Sequence, residues 1–490
     1  MNPWSFSLTI SSEARRLVQI ERFLIQPGKI NVLFGESGIG KSLIARSLFG
    51  LADQTRLGLR VNGERYEDYC KTARTQTFRK QGFFVFQEPS THLNPAMTVQ
   101  DQLHEADLAG LSGEEAILTA LWQSDGWKPL LPVYPQSYRP SGGEKQRFLL
   151  AMALQKAKRL QKGSNPEALF VFDEPTGSLD NGFRNAFLQQ LMQSYRTYGT
   201  TALLITHDYT IITYLQEQEW LPHFQFQELS RQPDGSVTQT EFDAAGYSGW
   251  QQSLQPLKQT NGHPVLSLES GLEVHGRRLV FSNEAANQVN LSLTAGNLTY
   301  LKAPSGVGKT TIARVILGLY RASDLNLTIG SHLLNGNTPP GFWKNTLWGK
   351  TLSMAFQLAD EALNQSSTVE QVFFALRNPD LSTSEQVRAY LQTAFINQID
   401  PGFLKQKVKF LSGGQKQRLN LLRSMAASPR ILILDEPLNG VDFRTIQLFM
   451  NLLTTALEKQ TAVLLISHNE AIFDRLTRPG NRIFLSADIV

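Results

Sequence analysis

Short unbroken apolar runs punctuate the chain and alternate with stretches whose apolar residues recur at helical spacing. GKINVLFG and GNLTYLKA each run into a glycine-rich loop, which predicts a buried strand ending in a turn. SLIARSLFGL and TIARVILGLY follow those loops at helical spacing, so each loop joins a strand to a helix. The runs from Ala168 to Phe172 and from Ile431 to Leu434, and those ahead of His207 and His468, have the length and two-sided apolarity of buried parallel strands. Strands alternating with helices predict an α/β fold. No run approaches the roughly 18 apolar residues a membrane span needs, so any membrane association is expected to go through a partner.

The pattern is written twice. GESGIGKS at Gly35–Ser42 answers APSGVGKT at Ala303–Thr310, with Lys41 and Lys309 lying 268 positions apart. Gln87 in FVFQEP answers Gln357 in MAFQLAD, PSGGEKQR answers LSGGQKQR, FVFDEP answers LILDEP, and LLITHD answers LLISHN. Landmarks that recur in one order predict two tandem domains, 1–235 and 264–490. From about Thr213 to Pro264 the text turns to Gln, Pro, Gly and scattered aromatics without a helical period; it predicts trailing strands of the first domain and then a linker over 236–263. The first half also carries an additional stretch, KAKRLQKGSNPEA, which predicts a surface loop.

Composition narrows the class. With 490 residues, 41% of them hydrophobic and 18% charged, the chain is an ordinary globular one able to bury several cores, which excludes bulk disorder. A single cysteine, Cys70, excludes a disulfide framework, a zinc ribbon and a cysteine-held cluster, and fits a reducing cytosol. A net charge of +4 is too weak a field to imply nucleic acid. The start MNPWSFSLTI lacks a basic segment, apolar core and cleavage site, so export is not expected.

The loops carry the first chemistry. Gly35, Gly40, Lys41 and Ser42 meet the pattern G-x-x-x-x-G-K-[ST]: glycines aim backbone amides of Gly35, Glu36, Ser37, Gly38, Ile39 and Gly40 at a phosphate chain, Lys neutralises the terminal phosphates, and the hydroxyl takes Mg2+. The second loop, Ala303, Pro304, Ser305, Gly306, Val307, Gly308, Lys309 and Thr310, departs at its first position, where Ala replaces Gly. If that position requires positive φ, Ala303 costs about 1 kcal/mol of strain and weakens the tuning of nucleotide binding without abolishing it. Asp173 and Asp435 end buried strands and aim at the metal sphere, and the next residues, Glu174 and Glu436, can meet an attacking water.

Glycine-rich loop, Gln, SGG[EQ], DE and His in this order resemble the nucleotide-binding domain of ATP-binding cassette (ABC) proteins, in both halves and over all but the linker. The resemblance implies two tandem P-loop cassettes, each with a RecA-like core, a small antiparallel β part and a helical subdomain, and ATP hydrolysis with Mg2+. Ser141, Gly142 and Gly143, and Ser412, Gly413 and Gly414, match the signature motif, whose hydroxyl and amides close over the γ-phosphate held by the opposite domain. By the same resemblance Glu174 and Glu436 polarise the water, His207 and His468 contact the γ-phosphate, and Gln87 and Gln357 sense metal and water. Asp180 and Asp442 resemble the family's D-loop aspartate, although Gly440 stands where Ser178 does. Phe6 and Phe281 are candidates for stacking adenine, and a buried strand aromatic is the competing account of each. One chain with two full motif sets is expected to supply both composite sites by head-to-tail pairing: Lys41, Glu174 and His207 with Ser412, and Lys309, Glu436 and His468 with Ser141.

Cassettes without membrane spans resemble importer subunits, which work at the cytoplasmic face of the inner membrane with two integral-membrane permease subunits and an extracytoplasmic substrate-binding protein. FQEPSTHLNPAMTVQDQL, echoed by ALNQSSTVEQV, resembles the peptide, nickel and metallophore import branch. Fused sugar-import ATPases differ in that their second motif set degenerates. Fused ATPases of energy-coupling-factor vitamin or cobalt importers also carry twin intact cassettes and are the nearest alternative. Twin-cassette factors acting on ribosomes have a long charged helical linker, and DNA-repair cassettes bring zinc cysteines or coiled coils. The peptide branch often bears a cysteine cluster, which Cys70 alone cannot form, leaving metal-chelate cargo open.

Overall fold

The computed structural model describes residues 2–12, 15–53, 57–105, 114–136, 139–160, 167–176, 181–232, 236–304, 306–392 and 399–489. Two compact units, Met1–Tyr247 and Ser248–Val490, divide the chain. The boundary falls inside the stretch 236–263 expected to link the halves. The first part of that stretch is structured: Val237–Glu241 pairs antiparallel with Phe224–Arg231, and Ala244–Ser253 is a helix.

In the first unit the main sheet orders its strands Val237–Glu241, Phe224–Arg231, Ile30–Gly35, Thr201–Ile205, Leu169–Asp173 and Phe83–Val85. The last five run parallel. Every residue of Ile30–Gly35, Leu169–Asp173 and Thr201–Ile205 is buried, as strands covered on both faces must be. A smaller antiparallel sheet of Arg15–Ile25, Trp4–Ser12, Gly58–Val61 and Glu64–Arg65 lies beside it. Trp4–Ser12 alternates buried with exposed positions, the signature of a sheet with one wet face. Phe6, Ile20, Ile44, Leu48, Val171 and Leu203 share one core, so the helix Lys41–Leu48 is clamped between the two sheets.

The second unit repeats the plan. Its main sheet orders Leu272–Val274, Arg277–Ser282, Arg482–Ile489, Leu298–Lys302, Ala462–Ile466, Ile431–Asp435 and Leu352–Ala355, and its small sheet Leu291–Thr294, Pro264–Leu268, Asn326–Ile329 and His332–Asn335. A separate helical core gathers Leu363, Val369, Phe373, Val387, Leu391, Leu419 and Leu422. The helix Val369–Phe374 starts where TVEQV predicts, with Thr368 and Gln371 forming a capping box. The first unit's counterparts are Val99–Glu105, Glu114–Trp122 and Gly142–Lys158. The expected surface loop KAKRLQKGSNPEA opens as the end of that last helix; residues 161–166 of it lie outside the described residues.

Candidate functional site

The strand Ile30–Gly35 delivers its last residue into the first glycine-rich loop at φ +143°, and Gly38 (+81°) and Gly40 (+111°) follow. These angles are open to glycine and costly for other residues. A Cβ on Gly35 would also sit 2.9 Å from the Leu229 carbonyl oxygen, and one on Gly40 2.7 Å from Val18. In the second loop Gly306 (+78°) and Gly308 (+126°) repeat the turn, but Ala303 does not adopt positive φ. The strain expected at Ala303 is therefore absent, because the second loop enters its turn with a different backbone angle. Ser305 of this loop lies outside the described residues.

Both lysines fold over their loops. Lys41 Nζ donates to the carbonyls of Gly35 (2.6 Å) and Glu36 (3.1 Å), and Lys309 Nζ to those of Ala303 (2.6 Å) and Pro304 (3.2 Å). Burial lowers the Lys41 pKa against the pull of Glu174 and Asp173. Each lysine is thus a desolvated cation at the mouth of a helix N-terminus, Lys41–Leu48 or Lys309–Ile316, the arrangement that favours a phosphate chain.

Asp173 and Asp435 lie at the ends of strands Leu169–Asp173 and Ile431–Asp435, fully buried. Ser42 Oγ donates to Asp173 Oδ1 at 2.8 Å, while Asp173 Oδ2 and both Asp435 carboxylate oxygens are buried without a hydrogen-bond partner. Burial pushes both carboxyls up to about 6, with Ser42 and Thr310 respectively acting in the opposite direction. A hydroxyl beside an under-satisfied buried carboxylate is the oxygen donor set that Mg2+ takes, so these residues fit that ion.

Both following glutamates sit in the left-handed region, Glu174 at φ 46° and Glu436 at φ 47°, and their backbone N–H groups donate hydrogen bonds to the Ile205 and Ile466 carbonyls (2.9 and 2.8 Å). Such backbone strain, about 1 kcal/mol or more per residue, concentrates at functional sites, and nothing in the sequence announced it. Glu174 receives Gln87 Nε2 at 2.9 Å and faces His207 Nδ1 at 3.2 Å. Burial alone would raise the Glu174 carboxyl, but His207, Lys41 and Gln87 outweigh it and hold the group below its ordinary range. Burial likewise opposes protonation of His207, yet Glu174 lifts its pKa above the ordinary value.

Glu436 is placed otherwise. Ser467 Oγ (3.1 Å) and the His468 amide (3.2 Å) donate to its Oε2, and His468 Nε2 stands 3.5 Å from Oε1. Burial pushes this carboxyl up to about 7, with the donors from His468 and Ser467 opposing. Gln357 is exposed and, among the described residues, makes no hydrogen bond to Glu436.

Ser141 and Ser412 cap the helices Gly142–Lys158 and Gly413–Ala426. Each closes a capping box, with Glu144 accepting from the Ser141 amide at 2.7 Å and Gln415 from the Ser412 amide at 3.0 Å. Gly142, Gly143, Gly413 and Gly414 supply the first free amides of those helices. Phe6 and Phe281 are 1% and 0% exposed, so both are core residues and neither is open to a base. Asp180 and Ser178 lie outside the described residues; Asp442 caps the helix Phe443–Glu458 by accepting from the Thr445 amide. A residue pair missed in the sequence is Arg184 and Asp208. They form an ion pair at 3.1 Å, with Arg184 buried and Asp208, the residue after His207, partly buried; Thr210 Oγ1 accepts from the same guanidinium.

The profile of the ABC transporter family matches residues 19–177 and 286–439. An uncharacterised ABC transporter ATP-binding protein, YejF of Escherichia coli K12, is 27% identical, with 93% of this chain and 88% of the relative aligned. The peptidoglycan transport ATP-binding protein YejF of Agrobacterium fabrum is 26% identical over 91% and 84% of the two chains. The glutathione import ATP-binding protein GsiA of Shigella dysenteriae is 25% identical over 93% and 80%. Among solved structures, an RNase-L inhibitor superposes with a TM-score of 0.61 at 16% identity, covering 98% of this chain and 89% of its own.

Proposed function

The chain belongs to the ABC transporter family, and from that premise we propose that it is the ATP-hydrolysing, energy-coupling subunit of an importer, working at the cytoplasmic face of the inner membrane through two separate permease subunits and a substrate-binding protein. The observation that carries the reading is the likeness, across both cassettes, to a glutathione import and a peptidoglycan transport ATP-binding protein. No described helix is long and apolar enough to cross a membrane. The relatives named for glutathione and peptidoglycan favour a short peptide or peptide conjugate as cargo, with nickel or a metal chelate as the alternative. The resemblance to RNase-L inhibitor, at 16% identity, carries the fold and not a ribosomal partner.

In this reading Lys41 and Lys309 hold the terminal phosphates, Ser42 with Asp173 and Thr310 with Asp435 hold Mg2+, and Gln87 and Gln357 adjust metal and water. Glu174 and Glu436 orient the water, and His207 and His468 meet the γ-phosphate. The signature residues Ser412 and Ser141 complete the first and second site in turn. ATP binding closes the cassettes and hydrolysis reopens them, and that cycle drives the permease. Purifying the tagged chain from detergent-solubilised membranes tests the reading. Two integral-membrane proteins are expected to copurify; recovery with ribosomes and without membrane subunits would contradict it.

A further inference from the structure

The two halves hold their strand-end glutamates by different partners. In the second half the Glu436 carboxylate is drawn onto the turn that follows the strand Ala462–Ile466, where Ser467 Oγ and the His468 amide both donate to one oxygen. Its side chain is 5% exposed, against 14% for Glu174. Ser467 is fixed in turn: Tyr300, fully buried in the neighbouring strand, donates its hydroxyl to the Ser467 carbonyl at 2.8 Å and packs at a tilt on Phe473. Ser467 Oγ also accepts the Asn469 amide at 3.2 Å. The Tyr300 hydroxyl, the turn and Glu436 Oε2 are therefore joined in one buried hydrogen-bond chain that ties this oxygen to the turn, while Glu436 Oε1 has no hydrogen-bond partner among the described residues.

The first half lacks this chain. Counted back from the loop lysine, Val32 stands where Tyr300 does, and a valine has no hydroxyl to give. Thr206 replaces Ser467 and its Oγ1 accepts the Asp208 amide at 3.0 Å. Glu174 turns instead to Gln87 and the His207 ring, the side chains that reach out toward the loop face.

We propose that Ser467, braced by Tyr300, is a positioning residue that holds Glu436 retracted onto the turn, so that hydrolysis through Glu436 is the slower of the two and the cassettes fire unequally. The inference rests on the assignment of Glu174 and Glu436 as the water-orienting groups. Removing the latch frees the carboxylate at the cost of about one hydrogen bond, so the released rate is about fivefold.

Steady-state phosphate release by the full chain tests it. In an E174Q background, where turnover passes through Glu436, S467A and Y300V are each expected to raise kcat about fivefold with KM little changed. In an E436Q background the same substitutions are expected to change nothing. An unchanged or lowered kcat for E174Q/S467A, or an equal rise in the E436Q background, would overturn the proposal. Should the large-to-small change at Tyr300 impair folding, S467A alone decides. A crystal structure of S467A gives a readout independent of turnover: Glu436 is expected to leave the His468 amide, and a carboxylate still bonded there would refute the latch. If E174Q and E436Q each leave turnover at the wild-type level, the glutamate assignment fails, and the position of Glu436 in S467A still judges the latch by itself.

Discussion

Among the described residues Asp173 and Asp435 each have a buried carboxylate oxygen without a hydrogen-bond partner, which is costly for a protein to keep unless a ligand satisfies it. In the proposed function the charge that relieves both is a divalent cation shared with the phosphate chain. Replacing either aspartate by asparagine removes that charge and leaves the shape, so D173N and D435N are each expected to lose magnesium-dependent phosphate release at their own cassette. The double variant should fall by at least about a hundredfold, and a magnesium titration of the rate checks it. Single residues also mark where legibility ended. The glycine-rich loops were readable because only glycine tolerates their φ values, and the signature serines because a helix start needs a cap. The left-handed backbone of Glu174 and Glu436 was not readable, since it is imposed by backbone hydrogen bonds to strands Thr201–Ile205 and Ala462–Ile466 and leaves no mark on residue type. The Tyr300 to Ser467 contact joins positions 167 apart, beyond any local pattern.

Among elements, the buried strands and the helices after the loops were legible because burial on both faces demands unbroken apolar runs. The strand Val237–Glu241 was not: only Val237 is buried, and the rest is a polar edge held by pairing with Phe224–Arg231. The helix Ala244–Ser253 hides behind two glycines, Gly246 and Gly249, that lower helix propensity. The pair Arg184 and Asp208 couples two elements, the helix Asn181–Tyr198 and the turn presenting His207. Counted from the strand-end aspartates, Ile446 stands where Arg184 does, and where LLITHD answers LLISHN, Asn469 stands where Asp208 does, so the chain itself shows a neutral solution. R184A leaves a partly buried carboxylate without its cation and is expected to destabilise this element by about 1–3 kcal/mol, whereas R184I/D208N costs far less. Hydrogen exchange across 181–198 measures the difference.

The same pair sets a pH dependence. Burial would raise the Asp208 carboxyl, but Arg184 and Thr210 outweigh it, so its folded pKa lies below the unfolded one. Its stabilisation is then complete above the ordinary aspartate value of about 3.9 and is lost as pH falls through the folded value. Wild-type protection at 181–198 should exceed that of R184I/D208N by a constant margin near neutrality. The margin should shrink only below about pH 4; one that shrinks already between pH 7 and 5 would contradict the assignment.

At the scale of the whole molecule, the duplication was the most legible feature, because five landmarks recur in order and each carries a chemical requirement. Both units rebuild the same order of five parallel strands around those landmarks and differ in the antiparallel strands at the outer edge. The import branch was legible in FQEPSTHLNPAMTVQDQL, but the cargo within that branch was not, since no motif of the cassettes selects it. The near-neutral charge of +4 gives no electrostatic reason for a polyanionic partner, and ribosome binding is expected to be absent at physiological salt. The central claim is that one chain carries two complete, magnesium-dependent ATP sites, and counting nucleotide on the full chain addresses it most directly. With hydrolysis blocked by E174Q/E436Q, equilibrium binding in magnesium is expected to give two ATP per chain, falling to one with either K41A or K309A added. A single ATP on the E174Q/E436Q chain, or two retained after a lysine is removed, would contradict the account.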